Sequence, residues 1–370
     1  MRRLGRQICI NVALQGGGAH GAFTWGVLDR LLEDPHIDIG WISGTSAGAV
    51  NAVAVASGLA TGGREGAREC LRQVWHGVHK AGVTDLIRMN PFLYGLTRSP
   101  AMAQVTGLMS PYDFNPLGFD PLRRLLSESI DFNAIRSGRV ELLIAATEVA
   151  SGRARLFRRH EMSVDAVLAS ACLPTLHHTV VIAGVGYWAG GFSANPDIVN
   201  LAMQSPVRDT LIVQLHPLVK NDLPTGVREI AGEVNRLTFG APLLRDVQLL
   251  ETVRTTSRGW LGWRGPWAPL ARHRFHLVEA GRYTAGLRAD TKMKPDWRLF
   301  TYLHGAGRTE MHKWLDRHRD AVGRRGSVDL VARYLKPAET PPARAALSVG
   351  AGDEAPPPAN GGAANDRRAT

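Results

Sequence analysis

Ile37-Asp38-Ile39-Gly40-Trp41-Ile42-Ser43-Gly44-Thr45-Ser46-Ala47-Gly48 decides how this chain folds. Ile37–Ile42 reads as a strand, and Ala47–Ala56 as a helix of small residues that can lie close on a sheet. Between them, Gly44 to Gly48 fits G-x-S-x-G, a sharp strand-to-helix turn that holds its serine out at the sheet edge. The same grammar occurs upstream. Ile8–Leu14 reads as a buried strand, Gly16-Gly17-Gly18-Ala19-His20-Gly21 as a glycine-rich turn, and Ala22–Leu32 as an amphipathic helix. Two strand–turn–helix units in succession predict an α/β sandwich with a mainly parallel sheet.

The first turn alone satisfies G-x-G-x-x-G, the dinucleotide-binding fingerprint. That use requires an acidic residue at the end of the second strand to take the ribose. Here the strand ends in Ile42-Ser43, and Asp34 and Asp38 stand before it or at its start. With 40 glycines, a G-x-S-x-G can also arise by chance. Chance is disfavoured because the strand before, the helix after and the upstream turn all agree. Ser46 would open its helix, where the dipole favours an alkoxide. The N–H groups of Gly16, Gly17, Gly18 and Ala47 would face a developing oxyanion. An ordinary α/β-hydrolase places several strands before its elbow and supplies a histidine base; two lead-in strands argue against that arrangement. His177 and His178, beside Pro174, read as pocket or core residues.

The chain has 370 residues, 44% of them hydrophobic, enough to bury a substantial core. Residues 8–215 read as a catalytic core and residues 216–336 as a C-terminal helical extension packed on it. The extension includes a late strand at Arg274–Glu279 and helices over Val227–Thr252, Trp297–His318 and Val328–Tyr334. Residues 337–370 are rich in Pro, Ala and Gly and read as a disordered tail. Residues 82–132 lack a clean period. Their Leu86, Ile87, Met89, Phe92, Leu93, Met102, Leu108, Met109 and Phe114 suit a lid or acyl-chain channel, or an irregular cover of the core. Arg258 to Trp267 sets Trp260, Trp263 and Trp267 among Gly, Pro and Arg, the composition of an exposed loop at a lipid–water boundary.

The net charge of +11 favours anionic partners such as a membrane surface; no nucleic-acid-binding motif accompanies it. The three cysteines, Cys9, Cys70 and Cys172, have no metal-like spacing and read as free thiols of a reducing compartment. Ile8–Leu14 enters a glycine turn rather than a small-residue cleavage site, so it reads as a first strand and not a signal peptide, and no run approaches the roughly 20 residues of a membrane span. These readings predict a cytoplasmic protein that touches membranes peripherally. Neither H-E-x-x-H nor a pair of C-x-x-C motifs is present, so no metal site is expected.

From about Ile8 to Leu215 the sequence resembles the patatin-like phospholipases, lipid acyl hydrolases with a Ser–Asp dyad. Gly16 to Gly21 fits the family's oxyanion turn, with His20 where Arg or Lys often stands. Gly44 to Gly48 fits its elbow, and Leu168-Ala169-Ser170-Ala171-Cys172-Leu173-Pro174 fits the helix end that precedes the aspartate segment. The resemblance implies a three-layer α/β/α sandwich with a mainly parallel central sheet. It also implies Ser46 as nucleophile, a lipid or acyl-ester substrate and no cofactor. The fourth motif departs from the pattern. The family carries Asp-Gly-Gly or Asp-Gly-Ala, whose aspartate activates the serine; this chain reads Ala189-Gly190-Gly191. A methyl group accepts no proton, so the chain as it stands is expected to be inactive or strongly impaired. Ala189 has two readings. One is an engineered inactivation of a working hydrolase, favoured by the intact flanks. The other is a natural pseudoenzyme acting as a lipid-binding or membrane-associated scaffold.

Overall fold

The computed structural model describes residues 8–89, 110–217, 223–257, 265–287, 291–292 and 295–336. The nine apolar side chains expected to line a lid or channel, the loop segment 258–264 and the segment 337–370 lie outside the described residues.

The chain runs β1 (Ile8–Leu14), α1 (Ala22–Leu32), β2 (Ile37–Gly44), α2 (Ala47–Met89), then three short helices α3 (Pro111–Phe114), α4 (Pro121–Ser129) and α5 (Phe132–Ser137). β3 (Glu141–Glu148), β4 (Ala154–Arg158), α6 (Val164–Ala171), β5 (Val180–Ile182), β6 (Val185–Ala189), α7 (Val199–Gln204) and β7 (Asp209–Gln214) follow. The remainder is α8 (Val227–Thr256), α9 (Ala268–Ala271), β8 (Arg274–Glu279), α10 (Gly281–Thr284), α11 (Trp297–His318) and α12 (Leu330–Leu335). The strands form one sheet in the order β5-β6-β3-β2-β1-β7-β8, with β4 paired to β3. Pairings β3–β2, β2–β1, β1–β7 and β7–β8 are parallel; the β4, β5 and β6 end is antiparallel.

Both faces of the sheet are covered, which is why the central strands are apolar on successive residues. Ile10, Val12 and Leu14 of β1 face a core shared with α1, α2, α6 and α11, while Ala13 faces a second core with α7, α8 and α12. These are the three layers expected from the sequence. β8 brings the region after residue 216 into the same sheet, beside β7. α2 begins with the helix read at Ala47–Ala56 and consists of two helical parts that meet at a kink, where the backbone leaves helical geometry at Gly62 and Gly63, the latter with φ +63°.

Two features hold the site in place. The first is the edge of β3. β4 lines one edge, and β2 and β6 share the other: Gly44 stands opposite Ile144, and Ala189 opposite Ala146. Because β2 is parallel and β6 antiparallel to β3, their carboxyl ends meet head-on across Ala145. The second is the crossing of α1 and α11. A Cβ on Gly26 would stand 2.0 Å from His304 O, and one on Gly307 2.1 Å from Phe23 O, so only glycine lets the two backbones meet. Asp29 of α1 ties the crossing together, accepting from Arg68 Nε (2.7 Å), His304 Nε2 (3.2 Å) and Arg308.

Candidate active site

Ser46 follows β2 directly and begins the turn into α2. Its φ is +54°, in the left-handed region that a serine enters only under constraint. The constraint is visible around it. Thr45 N–H donates to Leu14 O (3.2 Å) and Thr45 Oγ1 to Ala194 O (2.9 Å). Ser46 N–H donates to Ser170 Oγ (2.8 Å), a buried hydroxyl in the last turn of α6. Gly48 lets the first turn of α2 press on β1, since a Cβ there would stand 2.2 Å from Leu14 O. Ser46 remains partly exposed amid buried neighbours, and its hydroxyl bonds to no described residue.

The glycine turn lies beside it, because β1 and β2 are neighbours and end together. A Cβ on Gly16 would stand 3.0 Å from Ser46 Cβ. Gly16 N–H is taken: it donates to Asn195 Oδ1 (2.7 Å), and Asn195 Nδ2 donates to Phe239 O of α8 (2.9 Å). This corrects the expectation of four oxyanion donors. The N–H groups of Gly17, Gly18 and Ala47 donate to no other group among the described residues. The last of these is at the positive end of α2.

Ala189 ends β6 at the point where β2 also ends. It is 2% exposed, and both its backbone groups are engaged: N–H to Cys172 O (2.7 Å), and C=O accepting from Thr147 Oγ1 (2.9 Å). Gly190 follows against β3, where a Cβ would stand 2.0 Å from Ala145 O; Gly191 lies under the Phe239 ring. The family pattern around position 189 is therefore assembled in space, without a carboxylate in it.

Asp197 is buried one residue before Ile198, the N-cap of α7, and accepts from Asn200 N (2.7 Å) and Nδ2 (2.7 Å). His178 stacks on Tyr112 (4.1 Å) and lies 3.1 Å from Pro111 O; with His177 it lines a pocket of about 200 Å³ whose lining does not include Ser46. A larger cleft of about 590 Å³ sits at the start of β8, lined by Arg254, His273 and Ser327, on the edge of the sheet opposite Ser46. Among the described residues no group of three or more His, Cys, Asp or Glu is placed to hold a metal ion.

Sequence reasoning gave no role to Asn195 or Ser170. Their only local signal is a polar residue inside a run of small ones, and their partners are 179 and 124 positions away.

A family model described as patatin-like phospholipase matches residues 12–202, just over half of the 370 residues. No curated protein matches the chain. Among solved structures, VipD from Legionella pneumophila is 16% identical, with 81% of this chain and 67% of that chain covered at a TM-score of 0.38. A heterodimeric ExoU–SpcU complex from the type III secretion system of Pseudomonas aeruginosa gives 17% identity and a TM-score of 0.30. That match covers 84% of this chain, which spans about half (53%) of the chain it matches. The matched family segment holds the first glycine turn, the elbow and Ala189, on a three-layer sandwich: the chain belongs to the patatin-like phospholipase family.

Proposed function

We propose that this fold is built to cleave lipid acyl esters through an acyl-enzyme on Ser46, and that the chain lacks the base that would drive the reaction. The observation that supports it most is the convergence of three strand ends. β2 delivers Ser46 with a left-handed backbone, β1 delivers the glycine turn, and β6 delivers position 189. Attack of Ser46 Oγ on an ester carbonyl would put the oxyanion among the N–H groups of Gly17, Gly18 and Ala47. The hydroxyl's proton needs an acceptor, and none stands at Ala189. Deacylation needs the same acceptor to activate water, so both half-reactions are impaired.

A carboxylate returned at 189 tests this. Hydrolysis of p-nitrophenyl acyl esters by Ala189→Asp is expected to exceed that of the Ala189 chain by at least about 100-fold. Adding Ser46→Ala should abolish the gain. If Ala189→Asp stays inert on every chain length, the hydrolase reading is lost. Ala189 itself supports a second reading, a non-catalytic lipid-binding scaffold. That reading predicts lipid binding unchanged by Ala189→Asp and no turnover.

Peripheral contact with a lipid surface fits both readings. Its support is a stripe on α8 in which Val227, Ile230, Val234, Leu237 and Leu244 are all exposed at helical spacing. Trp267, at the end of the expected tryptophan-rich loop, is exposed as well. Co-sedimentation with vesicles is the measurement that decides it.

A further inference from the structure

The β8 edge of the sheet holds a serine, a histidine and an aspartate in one hydrogen-bonded chain. Asp209 begins β7, His276 is in β8, and Ser327 stands in the loop between α11 and α12. The sequence separates them by 67 and 51 positions; the parallel pairing of β7 with β8 brings the first two together. His276 Nε2 is 3.2 Å from Asp209 Oδ1, and His276 Nδ1 is 3.0 Å from Ser327 Oγ.

The partners fix where each proton lies. Asp209 is 3% exposed and accepts from Arg274 Nε (2.9 Å), Arg274 Nη2 (2.5 Å) and Gly323 N–H (3.1 Å). Burial pushes its carboxyl up, but the bonds from Arg274, His276 and Gly323 win and hold it well below the usual carboxylate range. An ionised carboxylate only accepts, so His276 carries its hydrogen on Nε2 and keeps a lone pair on Nδ1. The indole N–H of Trp314 donates to Ser327 Oγ (3.3 Å), which leaves the serine's own hydrogen to point at His276 Nδ1. The loop is pinned in this position. Ser327 N–H donates to Phe275 O (3.1 Å), and a Cβ on Gly326 would stand 3.0 Å from the same oxygen.

His276 and Asp209 are buried, whereas Ser327 is half-buried and lines the cleft of about 590 Å³ at the start of β8. A nucleophile, its base and the group that orients the base need this order of exposure. Glu251, Arg254, Thr255 and Asp329 share the lining, so the cleft suits a small polar molecule rather than a long acyl chain. Arg254, whose Nη2 is fixed by His273 O (2.8 Å), brings positive charge for an oxyanion.

We propose that Ser327, His276 and Asp209 form a second nucleophilic serine site, which cleaves short, water-soluble carboxylic esters bound in this cleft. Ser327 Oγ bonds to the ester carbonyl carbon and passes its proton to His276 Nδ1. The bond from that carbon to the alcohol oxygen then breaks as the proton moves to the departing alcohol. Water next gives a proton to Nδ1 and its oxygen to the acyl carbon, and Ser327 recovers its proton as the acid leaves. Asp209 is a positioning residue that holds His276 in the required tautomer. No step uses Ser46 or position 189.

The test is run on the full chain carrying Ser46→Ala, so that only the second site can answer. Diisopropyl fluorophosphate is expected to add one phosphoryl group, located on Ser327 by peptide mass mapping. p-Nitrophenyl acetate is expected to turn over repeatedly, and a further Ser327→Ala to lower that rate at least about 100-fold. Asp209→Asn, which favours the hydrogen on Nδ1, should lower kcat about 100-fold or more with KM kept, a split that a merely loosened fold does not give. Folded Ser46→Ala protein whose Ser327 takes up no phosphoryl group overturns the site, even where Asp209→Asn fails to fold. Labelling without turnover, or turnover unchanged by Ser327→Ala, overturns the proposed reaction. The outcome is independent of whether Ala189→Asp restores chemistry at Ser46, so the two readings stand or fall separately.

Discussion

Asp246 and Asp197 face each other between α7 and α8. Burial, then the Asp197 charge, raises Asp246 to about 7, although it accepts from Ile198 N–H (3.3 Å). Asp197 is raised as well, by burial, against its bonds to Asn200. The unfolded chain ionises these carboxyls near pH 4, so between about pH 4 and 7 the folded state holds a proton that the unfolded state has released. This contribution to stability is complete below the unfolded value and is lost as pH rises through about 7. Asp246→Asn removes it and can keep the bond from Ile198. The Tm of Asp246→Asn minus that of the unsubstituted chain should therefore grow by about 4 °C between pH 5 and pH 8. A difference that stays equal at the two pH values would contradict the shared proton. At this scale the sequence was legible only where chemistry is local. Ser46 and its glycines stand within one turn of each other, whereas Asn195 and Ser170 gain their places from strands paired across most of the chain.

Among the elements, the crossing of α1 and α11 has the least tolerance. Each helix offers a glycine to the backbone of the other. α1 follows the glycine turn directly, so the position of α11 bears on the site. Gly307→Leu would place its Cβ 2.1 Å from Phe23 O, a contact that only separation of the helices relieves. Overpacking of this kind costs about 1–3 kcal/mol, and the expected result is a drop in Tm of several degrees. A melt unchanged by Gly307→Leu would show that the helices do not approach so closely. Strands and helices were readable from apolar runs and small-residue stretches. The break between the two parts of α2 is equally local, since paired glycines interrupt a helix at Gly62-Gly63. The meeting of β2 with β6 was hidden, since no local pattern says which edge of β3 a later hairpin will take.

For the molecule as a whole, the positive charge and the α8 stripe belong to one question: what the surface meets. No helix among the described residues is long and apolar enough to cross a membrane. The stripe's Val234 and Leu237 are 55% and 56% exposed, and the chain carries net charge +11. Removing two such side chains from a lipid boundary should weaken binding at least about tenfold. Val234→Glu with Leu237→Glu is therefore expected to lower co-sedimentation with anionic vesicles by that factor, with the melting curve retained. Equal partition of the variant and the unsubstituted chain would remove α8 from any lipid contact. The sandwich with its mainly parallel sheet could be anticipated from the two strand–turn–helix units. The stripe could not, because a long helix read from its period does not reveal which face stays uncovered.

Ser46 has one consequence for the stability of the fold. Its left-handed backbone is a conformation that glycine adopts freely and serine only under strain, at about 1–3 kcal/mol. Stability and reactivity therefore pull in opposite directions at this one position: the residue that would relax the turn is the one that carries no hydroxyl.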